Sequence, residues 1–184
     1  MTIEEIKEYR ITPSVLYKTL TTLGIVDALN DTVTIDMLVK EIHYKYAVNF
    51  VCAMLDDIIN SYKRKETMSE EERIELAELI VRKNGFLTIK DCKTFYEMLI
   101  SCDIGTGRVG QEEYQLITID KPSILAKLAR YKAMRSEAAY NDYINKQSST
   151  KKEEEPVEVD REKIDNIVNR ILKRFSYNSL QKEK

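Results

Sequence analysis

The sequence predicts an all-α protein: a helical bundle with room for one small β-hairpin, followed by a linker and an amphipathic C-terminal helix. Hydrophobic residues recur at helical spacing through most of the 184 residues. Serine or threonine with an acidic residue three positions later also recurs, which is the capping-box pattern that begins helices. The predicted boundaries are 1–146 for the helical domain, 147–159 for a flexible charged linker, and 160–184 for the C-terminal helix and tail.

The composition is typical of a globular domain, with 43% hydrophobic and 33% charged residues. A formal net charge of -2 excludes strong general attraction to nucleic acid or to an anionic membrane, so any DNA contact has to come from a local patch. The first ten residues are acidic and amphipathic, unlike a signal peptide, and no run has the apolar length of a membrane span. We therefore expect a cytoplasmic protein with no membrane contact.

Helix-start signals divide the first third of the chain. Thr2 with Glu5 predicts a short first helix, and Thr12 followed by a proline predicts a second helix that continues to Gly24. The longest helical pattern runs from about 35 to 62, and its middle is apolar nearly all round. Because such a helix is buried by neighbours on several sides, we predict that it forms the spine of the core.

Two more capping boxes follow, at Ser69 with Glu72 and at Thr88 with Asp91. The first of these helices is expected to stop at Asn84, which precedes a glycine. The second should bury a stripe of apolar side chains, namely Phe95, Met98 and Leu99.

A glycine-rich loop and a strand-like run come next. Three of the five glycines, Gly105, Gly107 and Gly110, lie in the loop, and the run 115–119 has strand composition. Pairing of this run with Val109 would form the predicted hairpin. The loop satisfies G-x-G-x-x-G, but a helix precedes it and no helix opens within it, so the context of a dinucleotide site is missing. The absence of a following G-K-[ST] also argues against an ATPase loop.

Candidate catalytic and metal-binding residues are few. The three cysteines, Cys52, Cys92 and Cys102, are widely spaced and are expected to be free thiols. His43 has no second histidine with which to share a metal or a proton, so a packing or surface role is favoured. The adjacent carboxylates Asp56 and Asp57 point in different directions on a helix, so they do not form an acid/base pair. We predict no catalytic residues, no metal and no cofactor.

The next helix should begin at Asp120 or Lys121, with a proline in its first turn, and should direct apolar residues inward: Ile124, Leu125, Leu128 and Tyr131. It also carries five cations without an acid across fifteen residues, at Lys121, Lys127, Arg130, Lys132 and Arg135. Lys132 and Arg135 lie on or beside its apolar side. The candidate nucleic-acid contacts are Arg108, Lys121, Lys127 and Arg130, with Tyr131 for base stacking. Solvated helix surface is the alternative interpretation.

The composition changes sharply after residue 146 to serine and like-charge runs with Pro156, which predicts the linker. Asp160 then caps a helix with apolar residues at i, i+3, i+4, i+7, i+8 and i+11. These candidate partner-binding residues are Ile164, Ile167, Val168, Ile171, Leu172 and Phe175. Such a face has to dock on the domain, on a second copy or on a partner protein.

The order of motifs from about 68 to 135 resembles a family of small helical proteins carried by phages and mobile elements of Bacteroides-type bacteria. Its members typically carry LT-x-x-D, G-K-x-G-x-x-Y and I-D-x-x-x-I-x-x-W-L-x-x-Y. The matching residues here are Leu87, Thr88, Asp91, Gly107, Gly110, Tyr114, Ile119, Asp120, Ile124, Leu128, Tyr131 and Arg135. Lys127 occupies the usual tryptophan position. The resemblance implies a role in phage or plasmid replication, akin to helicase loaders, in a bacterial host or phage-infected cell.

These features together favour a non-enzymatic accessory or adaptor protein of phage or mobile-element DNA metabolism. It would act through protein contacts or self-association of its C-terminal helix, with at most modest DNA binding. The alternative is a structural or virion-associated protein that assembles copies of itself through the same helix.

Overall fold

The computed structural model describes residues 1–62, 68–101, 103–104 and 119–153, and for 148–153 it describes the backbone alone. The chain divides into two units, Met1–Asp142 and Tyr143–Lys184. The predicted hairpin from Val109, the glycines of the loop and the C-terminal helix of 160–184 lie outside the described residues.

The described residues form eight helices and no strand, so the all-α prediction is confirmed for this part of the chain. The helices are α1 Ile3–Glu8, α2 Pro13–Thr19, α3 Ile25–Leu29, α4 Ile35–Glu41, α5 Tyr44–Tyr62, α6 Glu70–Lys83, α7 Ile89–Ile100 and α8 Lys121–Glu153. Among the described residues, no helix combines the length and apolar character needed to cross a bilayer.

Local side-chain caps begin most of these helices. Complete capping boxes, in which the two side chains bond each other's backbone N–H, are present at all three predicted places: Thr2, Ser69 and Thr88. Thr12 accepts from the backbone of α2 as predicted, and Asp120 accepts at 2.8 Å from the N–H of Ser123 at the start of α8. These caps satisfy backbone donors that have no partner within a helix.

Helix α5 forms the spine of the core, as predicted. It packs against α2, α4, α6 and α7, and its buried residues include Phe50, Met54 and Leu55. The apolar side chains of α7 and α8 join the same continuous core, through Phe95 and Leu128 among others. Burial of this apolar surface is the main source of stability for the domain.

The predicted helix from 35 to 62 is broken into α4 and α5. The chain leaves helical geometry at Ile42, and the Nδ1 atom of His43 accepts a hydrogen bond from the N–H of Lys45 at 3.1 Å. The histidine therefore serves as a local cap for α5. A polar side chain that bonds to nearby backbone competes with continuation of a helix, and hydrophobic spacing does not reveal this competition.

The region around Gly24 also differs from the prediction. Helix α2 ends at Thr19, and the short helix α3 begins directly after Gly24, whose φ of 110° is rarely accessible to residues with a side chain. The glycine therefore lies at the start of a helix and not at the end of one. Hydrophobic spacing does not predict α3, because five residues are too few to show helical periodicity.

The starts of α4 and α7 are joined by one isolated antiparallel bridge between Thr34 and Thr88. The N–H of Ile35 donates to the carbonyl of Leu87, and the N–H of Ile89 donates to the carbonyl of Val33, each at 2.9 Å. Both threonines are also helix caps. The bridge therefore holds two helix N-termini beside each other.

Helix α8 continues through Glu153, so residues 147–153 are helical where the sequence analysis predicts a linker. No glycine or proline interrupts the chain between Pro122 and Pro156. Because the polar residues in this stretch are tolerated in helices, low apolar content alone does not end one. Proline disfavours helical geometry at the residue before it, and 156 is the first such breaker.

Candidate functional site

The first half of α8 combines the predicted inward face with the predicted cationic surface. Ile124, Leu128 and Tyr131 are buried, as the helical spacing predicts, and Leu125 is half-buried. The five cations occur on the same turns of the helix. The position of each cation relative to the core decides whether it is free to contact a phosphate.

Tyr131 lies inside the core, which corrects the prediction that it stacks on a base. Its side chain is 0% exposed, and its ring packs edge-on against Phe95 with centroids 5.7 Å apart. Its hydroxyl donates to Asp91 Oδ1 at 2.7 Å. Burial, with the negative charge of Asp91 next, raises the pKa of Tyr131 well above its ordinary value. A ring with no exposed surface is not accessible to a base.

Lys127 is also buried, which corrects its assignment as a phosphate contact. It is 8% exposed, and its ammonium donates at 2.8 Å to the carbonyl of Ile104, in the segment that follows α7. A buried ammonium requires such partners because the loss of hydration is costly. Lys127 therefore holds the segment after α7, at Ile104, against α8.

Three more of the cations contact the domain. Lys121 forms an ion pair with Glu75 on α6 at 3.3 Å, and Lys132 donates to Asn84 Oδ1 at 2.9 Å. Arg135 is directed at Asp91, with Nε 2.9 Å from each carboxylate oxygen. Arg130 is exposed and makes no hydrogen bond or ion pair with the other described residues.

The predicted nucleic-acid site is thus not assembled as one surface. Lys127 and Tyr131 are internal, Lys121 is paired at its edge, and Arg130 is exposed. Arg108 lies outside the described residues. An interface of several phosphates needs several free cations, and among the five cations of the first half of α8 these are Arg130 and, in competition with Glu75, Lys121.

Asp91 is the centre of a buried polar network that sequence reasoning found only in part. It is 0% exposed, and it accepts from the N–H of Thr88 at 2.8 Å as the acid of a capping box. The same carboxylate also accepts from Tyr131 and Arg135 of α8. The hydroxyl of Thr88 lies 3.1 Å from the carbonyl of Ala28, which brings α3 into the network.

Four of the twelve residues named for the family resemblance meet in this network. Thr88, Asp91, Tyr131 and Arg135 all belong to the matching set, and here the other three each bond to Asp91. The clue in the sequence was that LT-x-x-D and Y-x-x-x-R occur together. Because a buried carboxylate is stable only when it is fully paired, these residues hold α7 and α8 together.

The described residues offer little for covalent or metal chemistry. No group of three or more histidine, cysteine or acidic residues among them could hold a metal. Burial raises the pKa of the thiols of Cys52 and Cys92 above the ordinary value. A thiol rather than a thiolate is therefore favoured at both positions, which does not fit a nucleophile.

The later turns of α8 expose large apolar side chains. Tyr140 is 64% exposed, Tyr143 is 57% exposed and Ile144 is 43% exposed. Exposed apolar side chains of this size are candidates for contact with another molecule. The predicted partner-binding residues from Ile164 to Phe175 lie outside the described residues.

Comparison of the chain with protein-family models, with curated proteins and with solved structures found no match.

Proposed function

We propose that the protein is a non-enzymatic accessory or adaptor protein of phage or mobile-element DNA metabolism that acts through protein contacts. One contrast along α8 carries the proposal. The cations of its first half bond mainly to the domain itself, whereas Tyr140, Tyr143 and Ile144 are exposed. A helix of this kind is better suited to binding protein than to binding DNA.

The amphipathic segment of 160–184 supports the same proposal. Its apolar residues follow helical spacing from Ile164 to Phe175, and such a face gains stability by docking in a groove or on another helix. The exposed apolar residues of α8 precede this segment in the chain. Together they would provide a contact region for a partner protein or for a second copy.

The setting in DNA metabolism is supported by the resemblance to small helical proteins of phages and mobile elements. Modest DNA contact is compatible with Arg130 and Arg108, which would release few counterions. An adaptor of this kind would bring a replication enzyme to its site by binding that enzyme, and its own affinity for DNA could stay low.

The test compares the full chain with a variant that lacks Asp160–Lys184 and with the double variant Ile167→Asp, Ile171→Asp. We expect all three to keep the helical circular dichroism of the domain, and both variants to lose partner binding or self-association. Sedimentation velocity over a range of concentrations separates these two roles. A mass that rises with concentration would favour the virion-associated alternative, and unchanged association in both variants would contradict the role of this segment.

A further inference from the structure

A cleft of about 460 Å³ lies between α1, α2 and the junction of α4 with α5. Its apolar lining includes Ile6, Ile11, Pro13 and Ile42, and its charged lining residues are Lys7 and Arg10. The volume is within the range of ligand-binding clefts, which are mostly apolar with a few polar groups that orient the ligand. No part of α8 lines it, so it is a separate surface from the one that carries the proposed function.

Arg10 occupies an unusual backbone position at the edge of this cleft. Its φ is 47°, and it is the one residue other than glycine with a positive φ in the described part of the chain. The N–H of Arg10 donates to the carbonyl of Lys7 at 3.3 Å, and the N–H of Ile11 donates to the carbonyl of Ile6 at 3.1 Å. This pair of bonds is the Schellman motif that ends α1.

Glycine is strongly favoured at this position of a Schellman motif because a Cβ atom is strained in left-handed geometry. The fold alone would therefore be served better by glycine than by arginine. Backbone strain that persists in a structure supports the hypothesis that the side chain has a function. The contribution of Arg10 is then its guanidinium group, which is held beside an apolar cleft.

The charges around the cleft leave this guanidinium available. Lys7 is paired with Glu41, with Nζ 2.9 Å from Oε2. The side chain of Arg10 is exposed and makes no hydrogen bond or ion pair with any other described residue. Of the two charged lining residues, only Arg10 has no partner of opposite charge among the described residues. One carboxylate on a ligand would neutralise it. A guanidinium presents donors in a fixed fork that fits a carboxylate with two parallel bonds.

A hydrogen bond from the core orders one wall of the cleft. The hydroxyl of Tyr46, on the spine helix α5, donates to the carbonyl of Ile11 at 2.7 Å. This bond joins the turn after α1 to the core. A site that is already ordered pays less conformational entropy on binding, so a short segment could bind here with useful affinity.

We propose that this cleft binds a short segment of a partner protein in which one acidic residue is adjacent to an aliphatic or aromatic residue. The apolar side chain lies against Ile6, Ile11 and Ile42, and the carboxylate is held by Arg10. Because the lining holds one cation that is unpaired among the described residues, a run of several acids gains no second ion pair. The cleft therefore selects for one carboxylate beside one apolar group.

The test uses the full chain and an array of octapeptides that presents every pair of adjacent amino acids in a glycine–serine frame. Pairs of one acidic and one aliphatic or aromatic residue should bind, and pairs with lysine in place of the acid should not. The strongest peptide is then titrated in solution by fluorescence anisotropy. No selective binding of acidic–apolar pairs would overturn the proposal.

The decisive variant is Arg10→Gly, since it keeps the Schellman motif and removes the guanidinium. We expect an unchanged or raised melting temperature and a loss of peptide affinity of about tenfold or more, the usual effect of removing a charge-assisted hydrogen bond. Arg82→Ala, at an exposed arginine of α6 that does not line the cleft, is the matched control and should leave peptide affinity unchanged. Equal affinity in Arg10→Gly, or an equal loss in Arg82→Ala, would contradict the role of Arg10. A lowered melting temperature in Arg10→Gly would contradict the strain from which that role is inferred.

Discussion

Asp91 and Arg135 are 44 positions apart in the chain, yet the Nε atom of Arg135 lies 2.9 Å from both carboxylate oxygens of Asp91. Asp91 has no exposed surface, and the side chain of Arg135 is 18% exposed. The pair joins the first turn of α7 to the middle of α8. Since both charges are largely removed from water, each depends on the other for compensation.

The first prediction concerns this pair. Asp91→Asn removes the charge that compensates Arg135, and we expect it to lower the free energy of unfolding by about 3–5 kcal/mol in urea titrations. Arg135→Met should also destabilise the domain, because it leaves a buried carboxylate short of a partner. The double variant should lose less than the sum of the two. Strict additivity would contradict direct coupling.

The second prediction separates a structural Tyr131 from one that stacks on bases. Tyr131→Phe keeps the ring and removes the hydroxyl that donates to Asp91. We expect a loss of about 1.5–3 kcal/mol in unfolding free energy, as is usual for hydrogen bonds to charged groups. An exposed stacking residue would show no loss of stability. DNA affinity, measured by anisotropy at low salt, should be unchanged.

The third prediction assigns the remaining electrostatic contact with DNA to Arg130. Arg130→Ala removes an exposed cation that makes no bond with other described residues, so stability should change little. The plot of log DNA affinity against log salt concentration should lose about one unit of slope relative to the unchanged chain. An unchanged slope in a chain that does bind DNA would show that this side of α8 makes no phosphate contact.

The fourth prediction concerns alkaline pH. Burial raises the pKa of Tyr46 to about 12. A group with a raised folded-state pKa contributes stability that is complete below its ordinary value near pH 10, and this contribution is lost as pH rises toward 12. The melting temperature should therefore fall across this interval. Tyr46→Phe, which cannot ionise, should show a shallower fall, and an identical pH dependence would contradict the assignment.

The fifth prediction tests the close approach of the first turn of α4 to the loop before α7. A Cβ atom added at Gly85 would lie 1.9 Å from Oδ1 of Asp36, so this side chain has to move in Gly85→Ala. Asp36 is exposed and its carboxylate can rotate into solvent, so we expect a cost of only about 0.5 kcal/mol. Asp36→Ala removes the obstacle, and the double variant should regain most of the loss relative to Asp36→Ala alone. No recovery would place the strain elsewhere.

The helices that were predicted well depend on contacts within one turn. The capping boxes at Thr2, Ser69 and Thr88 join residues three positions apart, and such pairs are visible in the sequence. The break at His43 was missed although it is local, because a histidine cap has no distinctive spacing. The short helix after Gly24 gave too few residues for a periodic signal.

The candidate site was predicted less well because its contacts are long-range. Lys127 bonds to a carbonyl 23 positions away, and Lys132 bonds to a side chain 48 positions away. A cation on a helix has the same appearance in the sequence whether it meets water, a phosphate or the core. The inward position of Tyr131 was predicted from its spacing, and that position, rather than its cationic neighbours, determined its role.

The central claim is that the protein acts by binding other proteins through its C-terminal region. The most direct measurement is affinity capture of the tagged full chain from its native host, in parallel with the Ile167→Asp, Ile171→Asp variant, followed by mass spectrometry. We expect that a helicase, primase or polymerase is recovered with the full chain and lost with the variant. Recovery of the protein alone or of capsid components, or the same partners with both chains, would contradict it.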